Sequence, residues 1–349
     1  MKILLTSSYA KGDTSYFVDR TLRKMGHDVQ VIKWPKVSFV LEGFTSWARI
    51  KFKLMNLQPV RSRMIRRAGE RLRLVIRGLT PDLILVLKGD GIPPEMLLEL
   101  RQCSQAALVN WFPDALANLE NRYVFESIRI YGFFFVKDLY LKKQLEKVGF
   151  QNIYYLPQAF DPDIHRPVDL TSDEKKRFGC DLCVLGTCYP YRLQLIRNLR
   201  DYDMRIWGAG WNLLGPKDVD IKQKWMGRSA VGEKKAKVLG ASKIVLNLHH
   251  YSEVLGINKR TFEVAGVGAF QLVGKTALLP DRDGLGRVFE PDKEIVCFEN
   301  VEDLRQKIDY YLSHPEERRA IARRAYERAH REHSYENRLQ RMLEIIAGG

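Results

Sequence analysis

Between Gly256 and Val273 the chain reads Gly-Ile-Asn-Lys-Arg-Thr-Phe-Glu-Val-Ala-Gly-Val-Gly-Ala-Phe-Gln-Leu-Val. That order predicts a loop, a short helix and a buried strand, with Asn258, Lys259, Arg260 and Glu263 gathered around the helix start. A helix amino terminus presents unpaired N–H groups and the positive end of the dipole, so it favours an anion. Lys259 or Arg260 adds charge-assisted hydrogen bonds to phosphate. Arg260 and Glu263 stand three residues apart and share a face. The cation would reach a diphosphate while the carboxylate accepts from ribose hydroxyls. The plain alternative is a solvated helix with a surface Arg/Glu pair. Gly256 before the helix, and Gly266 and Gly268 after it, argue against that reading, because only a close approach to the next strand calls for them. The chemistry expected of this segment is the docking of a sugar nucleotide.

Other candidates stand where apolar runs end, and in open α/β sheets ligands bind beyond the carboxyl ends of the strands. Gly186 and Thr187 follow the run 182–185, with Tyr189 and Arg192 in the next turn, where a phosphate would need flexible backbone and a cation. Gly208, Gly210 and Trp211 follow 204–207. They lack the third glycine and downstream acid of a dinucleotide fingerprint, and Trp211 either walls the base or packs. Asn247, His249 and His250 end the run 243–248, and neighbours on a strand alternate, so one histidine faces the sheet and the other the site. In the first half, Lys88-Gly-Asp90 ends 83–87 and Asp114 lies beyond 107–109. If a hydroxyl is to attack, a base must reach it. Asp114 is the first choice for that base and Asp90 the second, with a helix N-cap as the alternative for Asp114. No metal is expected, since Asp281-Arg-Asp283 follows Pro280 in a loop and Arg192, Lys259, Arg260 and the dipole can supply the positive charge.

The strand with Asn247, then Gly256, Arg260, Phe262-Glu263 and Gly268-Ala269-Phe270, resembles the donor half of the group 1 glycosyltransferases, in the branch named after the spore maturation protein CgeB. The resemblance continues through Leu185-Gly186-Thr187 with Arg192, Trp207-Gly208-Ala209-Gly210-Trp211, Phe298-Glu299-Asn300 and Arg331-Glu-His333-Ser-Tyr335. It covers about 180 to the C-terminus well and the first 165 residues loosely. The larger family often carries two glutamates eight positions apart, whereas Leu255 stands eight before Glu263 and Glu253 is the nearest substitute. The resemblance implies GT-B architecture: α/β, with two doubly wound Rossmann-like domains facing a central cleft. It implies transfer of a sugar from a nucleotide diphosphate donor, UDP favoured, to a hydroxyl of a glycan or lipid-linked cell-envelope acceptor, with the nucleotide sugar as co-substrate and no cofactor. A sugar-nucleotide epimerase of the same fold and a non-catalytic nucleotide-sugar-binding or membrane-associated scaffold are the alternatives.

Positioning these residues requires two sets of parallel strands. Short apolar runs at 3–5, 29–32, 83–87, 107–109, 133–136 and 153–156, then at 182–185, 204–207, 243–248, 269–273 and 295–298, alternate with helical patterns, as strands buried on both faces do. Pro157, Pro162 and Pro167 break both periodicities and mark the linker. The expected domains are 1–166 on the acceptor side and 167–333 for the donor, with a last helix at about 334–349 crossing back onto the first, as in the resembled family.

The formal net charge is +15, and residues 46–79 hold ten Lys/Arg against Glu70 alone. Trp47, Ile50, Leu54 and Leu57, and then Ile65, Ala68, Leu72 and Leu79, recur at helical spacing, which predicts two basic amphipathic helices. Their charge is either a solvated face or a surface that meets anionic lipid or a phosphorylated acceptor. Nucleic acid is not expected, because no nucleic-acid-binding motif accompanies the charge. Five scattered cysteines suit reduced thiols, and no apolar run approaches 18 residues. A cytoplasmic location, peripheral at the inner face of the membrane, is the expectation.

Overall fold

Strands buried on both faces need apolar side chains in both directions. β3 (Leu83–Leu87) meets that demand with five buried residues in a row. It lies inside a sheet with β1 (Lys2–Ser7), β2 (Asp28–Lys33), β4 (Ala107–Phe112), β5 (Phe133–Val136) and β6 (Ile153–Tyr155), in the order β2-β1-β3-β4-β5-β6, every pair parallel. A second parallel sheet holds β7 (Cys180–Leu185), β8 (Met204–Trp207), β9 (Ser242–Asn247), β10 (Gln271–Gly274) and β11 (Val296–Phe298), in the order β11-β10-β9-β7-β8. In both sheets the first strand sends its successor to one side and the third strand returns on the other. The strand order therefore reverses between β1 and β3, and again between β7 and β9. Loops leaving such a pair diverge and open a crevice at the carboxyl edge.

This computed structural model describes residues 1–10, 12–34, 58–275 and 284–349. It divides into two compact units, Met1–Gln158 with Tyr335–Gly349, and Ala159–Ser334. The break comes earlier than the 166/167 boundary read from the prolines. The reason is a backbone pairing that composition does not reveal: Phe160 bridges Ser334 in parallel, and its N–H donates to the His333 carbonyl at 3.3 Å. The last helix, Tyr335–Ala347, belongs to the first unit. There Tyr335 is fully buried, its ring stacked 5.4 Å from Phe17 and set edge-on to Trp111.

Of the two basic helices expected in 46–79, the segment with Trp47, Ile50, Leu54 and Leu57 lies outside the described residues. The second is the helix Gln58–Leu79. It buries Leu72 and Ile76 in the first core, with Ile65, Ala68, Val75 and Leu79 packed against them, and leaves Arg63, Arg66, Arg67, Arg71 and Arg77 exposed. Among the described residues no helix is long and apolar enough to cross a membrane. Asp281 and Asp283 also lie outside the described residues.

Candidate functional site

The crevice of the second sheet is built by the turns after β7 and β9. At Gly208 φ is 152°, and a Cβ there would sit 2.0 Å from the Gly186 carbonyl oxygen, so only glycine lets the turns after β7 and β8 touch. Trp211 is fully buried, with its indole N–H donating to the Gly186 carbonyl at 2.9 Å, and Gly210 opens the short turn that carries it. A ring with no exposed face cannot wall a base. Trp211 is a packing residue that holds Gly186, which corrects the base-stacking alternative.

Two guanidinium groups converge on this turn. A methyl group at Gly186 would lie 2.7 Å from Arg192 Nη1 and 2.8 Å from Arg260 Nη2. Arg192 is 5% exposed and donates to the Thr187 and Leu248 carbonyls, while its Nε–H meets no acceptor among the described residues. Its guanidinium lies 4.9 Å over the Tyr189 ring. Arg260 donates to Asn247 Oδ1 at 3.3 Å. Among the described residues neither arginine meets a carboxylate at ion-pair distance. Burial, then the neighbouring charge of Arg260, pull Arg192 down to about 10, and burial lowers Arg260 as well. Two like charges with no carboxylate at ion-pair distance among the described residues make a socket for an anion carrying more than one charge.

An amide network holds Arg260 in place. Asn247, fully buried at the end of β9, accepts from Asn258 Nδ2 at 2.9 Å and donates to Thr261 Oγ1 and Gln271 Oε1. Asn258 caps the helix Lys259–Val267 by accepting the Thr261 N–H. Asn247 thus works through its neighbours. His249 is buried, with Nδ1 3.3 Å from the Gly274 carbonyl, whereas His250 packs edge-on to Tyr189 with Nδ1 2.7 Å from Ser252 Oγ.

Glu263 lies in a different setting from the exposed face that the spacing suggested. It is buried, and both its oxygens accept from Lys235 Nζ at 3.0 Å. Lys259 Nζ is 3.7 Å away and His165 Nε2 3.4 Å. Burial alone would raise its pKa, but Lys235, Lys259 and His165 outweigh that and hold the carboxyl far below its usual range. His165 belongs to this second unit. Its Nδ1 accepts the Asp161 N–H, which leaves the proton on Nε2 toward Glu263, and burial drives it down to about 4. Sequence reasoning missed Lys235 and this use of His165. A glutamate between Phe262 and Val264 on a core face was the available signal, because a buried carboxylate demands a cation.

In the first unit the turn after β3 carries Lys88, in the left-handed region at φ 69°. Its ammonium bridges Asp90 at 3.0 Å and Asp114 at 2.7 Å, so both candidate acids meet one cation. Burial works against the charge on Lys88, yet the two carboxylates prevail and its pKa is raised. Asn110 and Asn121 donate to the Lys88 and Asp90 carbonyls at 3.3 and 3.1 Å. Asp114 is not a helix cap, since the turn Leu116–Glu120 starts from Ala115.

A cleft of about 670 Å³ opens at the opposite, amino-terminal edge of the second sheet, beside Ser242, Ala269 and Tyr326. Its Lys243, Arg319 and Arg323 are engaged by Asp181, Glu316 and Glu327. Arg318, also in its lining, donates to the Tyr311 carbonyl.

Residues 192–344 match the family described as "Glycosyl transferase-like". The spore protein CgeB of Bacillus subtilis (strain 168) is 24% identical over 270 residues, covering 72% of this chain and 78% of that protein. Among solved structures, sucrose-phosphate synthase of Thermosynechococcus elongatus superimposes with TM-score 0.66 at 12% identity, covering 99% of this chain and 98% of the other. Anabaena Alr3699/HepE, solved with UDP-glucose, gives TM-score 0.64 at 13% identity over the whole of both chains. The likeness to glycosyltransferases of GT-B architecture and to the CgeB branch, read from residues 185 to 338, is thus shown.

Proposed function

We propose that this glycosyltransferase-like chain, built on two parallel α/β units, moves a sugar from a nucleotide diphosphate to a hydroxyl of a glycan or lipid-linked cell-envelope acceptor. The observation that carries the proposal is the pair Arg192 and Arg260 converging on Gly186 with no carboxylate at ion-pair distance among the described residues. A diphosphate supplies the missing charge. As the glycosidic C–O bond breaks, negative charge grows on the leaving phosphate, and cations already in place stabilise it. The acceptor oxygen bonds to the anomeric carbon, and its proton passes to Asp114 or, as second choice, Asp90. UDP is favoured because Alr3699/HepE, of like fold, was solved with UDP-glucose. Lys259 joins the arginines, Tyr189 and Thr187 line the same turn, and Glu263 holds Lys259 in reach through their 3.7 Å pair. With this positive charge at hand the transfer proceeds without a divalent ion, and a chelator leaves the rate intact. Thermal-shift screening against nucleotide sugars tests the reading. Ligand at 100 times its Kd stabilises by about 2.7 kcal/mol, and no response to any nucleotide diphosphate would overturn it. UDP release that depends on added glycan separates a transferase from an epimerase or a non-catalytic binder.

The exposed arginines of the helix Gln58–Leu79 support a second element, docking on an anionic membrane at the cytoplasmic face. Leu74 is 71% exposed on the same helix, and each cation near an anionic surface contributes about 1 kcal/mol. Binding to vesicles containing phosphatidylserine is expected to fall steeply with salt, and to vanish when Arg63, Arg66, Arg67 and Arg71 become Gln. Indifference of the wild-type protein to such vesicles at low salt overturns it.

A further inference from the structure

Four rings run outward from Arg192 across the turns after β7 and β9. The Tyr189 and His250 rings meet edge to face at 5.2 Å, and His250 and Tyr251 lie 4.2 Å apart at a tilt of 32°. Tyr251 in turn sits 6.3 Å from Tyr191. The inner two rings are half-buried, whereas Tyr191 is 57% exposed and Tyr251 72%. Exposing two large aromatics side by side leaves apolar area in water with no gain to the fold, which is the mark of a binding surface. Tyrosine offers a flat apolar face, a polar rim and few rotatable bonds to freeze. A pyranose matches it, having a flat face of C–H groups and a rim of hydroxyls.

From this placement we propose that Tyr191 and Tyr251 form a platform for a carbohydrate ring beside the anion socket. The proposal deepens the functional reading above and rests on it, since Arg192 ties one end of the ring series to the diphosphate position. The ring comes either from the donor sugar or from the acceptor glycan. Both share the same stacking chemistry.

Titration calorimetry with UDP and UDP-glucose, together with retention on a printed array of bacterial surface glycans, tests the platform in the full chain. Wild type is compared with Tyr191→Ala/Tyr251→Ala and with Tyr251→Trp. If the donor sugar occupies the platform, the double variant loses about tenfold in affinity for UDP-glucose and none for UDP. If the acceptor does, both nucleotides bind as before and array retention falls about tenfold. Tyr251→Trp, which keeps an aromatic face at that position, binds as wild type does on both arms. Equal loss for UDP and UDP-glucose would assign the rings to the nucleobase and overturn the proposal, as would unchanged binding on every arm. Failure of wild type to bind UDP at all sinks the functional reading instead, and the array then decides the platform alone. Both side chains are largely exposed, so the variants are expected to melt within about 2 °C of wild type; a larger drop would make the rings structural.

Discussion

The crevices of the two sheets treat charge in opposite ways. Between β7 and β9 two guanidinium groups converge, and among the described residues no carboxylate meets either at ion-pair distance. At the carboxyl ends of β3 and β4 a single ammonium is held by two carboxylates. The first arrangement is incomplete without an anion from outside. In the second the cation is already paired, and the cluster keeps one excess negative charge. The helix Lys259–Val267 carries both conditions within one turn, for Arg260 is left open while Glu263 is closed on Lys235. An open charge marks where a ligand binds. A closed one marks where the protein holds its own shape. Each prediction below tests whether a given group stands on the side assigned to it.

The largest effect is expected at Glu263. Glu263→Gln keeps the volume but leaves Lys235, whose side chain is 13% exposed, without its counter-charge. Breaking one side of a buried pair costs about 3–5 kcal/mol, to be read from chemical denaturation. A loss below about 1 kcal/mol would return the carboxylate to the open side, with ribose hydroxyls as its partners.

His165 belongs to the same closed node, and its effect should appear as a pH slope. Its pKa is about 4 in the fold against 6.5 for an ordinary histidine. The unfolded chain therefore binds the proton more readily, and stability is lost as pH falls from about 6.5 to about 4. The loss is on the order of 3 kcal/mol. Above pH 7 it is absent. His165→Gln should flatten this part of the wild-type profile in thermal melts at pH 7.5, 6, 5 and 4. Parallel profiles for the two proteins would show that His165 is not the titrating group.

How much of this could be read from the chain follows from the range of each interaction. The strands were legible because each is a local run, such as Leu83–Leu87, whose apolarity follows from cover on both faces. Arg260 was legible because Asn258, Thr261 and Glu263 surround it within one turn. The approach of Arg192 to Arg260 across 68 residues was not, nor was the pairing of Lys235 with Glu263, since Lys234-Lys235-Ala236-Lys237 has the composition of a solvated face. Trp211 could be assigned only once its indole was seen on Gly186. The prolines placed the domain boundary too late because they record where periodicity stops, and the Phe160–Ser334 bridge forms before that point.

Arg260→Ala tests the open side directly. Removing a charge-assisted hydrogen bond to the diphosphate should weaken UDP by about 1.5–3 kcal/mol. The same change relieves a like-charge contact with Arg192, so stability without nucleotide should hardly fall. Calorimetry and melting together decide the case. Unchanged UDP affinity with a large drop in stability would exchange the roles of Arg260 and Glu263 and break the comparison.

The smallest effect is expected at Lys88. Its side chain is 29% exposed, and those of Asp90 and Asp114 are 18% and 31% exposed, so solvent screens the cluster. Each such pair contributes about 0.2–1 kcal/mol. Lys88→Met should therefore lower stability by about 1 kcal/mol and leave UDP affinity unchanged, because a cation already paired with two carboxylates has no charge to offer the donor. Turnover should fall by more than stability does, since Asp90 and Asp114 lose the cation that orients them and the acceptor hydroxyl meets a base out of place. Lys88→Arg offers a cation of different shape to the same acids and should recover stability more fully than turnover. A weaker UDP complex in Lys88→Met, at undiminished stability, would overturn the assignment of Lys88 to the closed side.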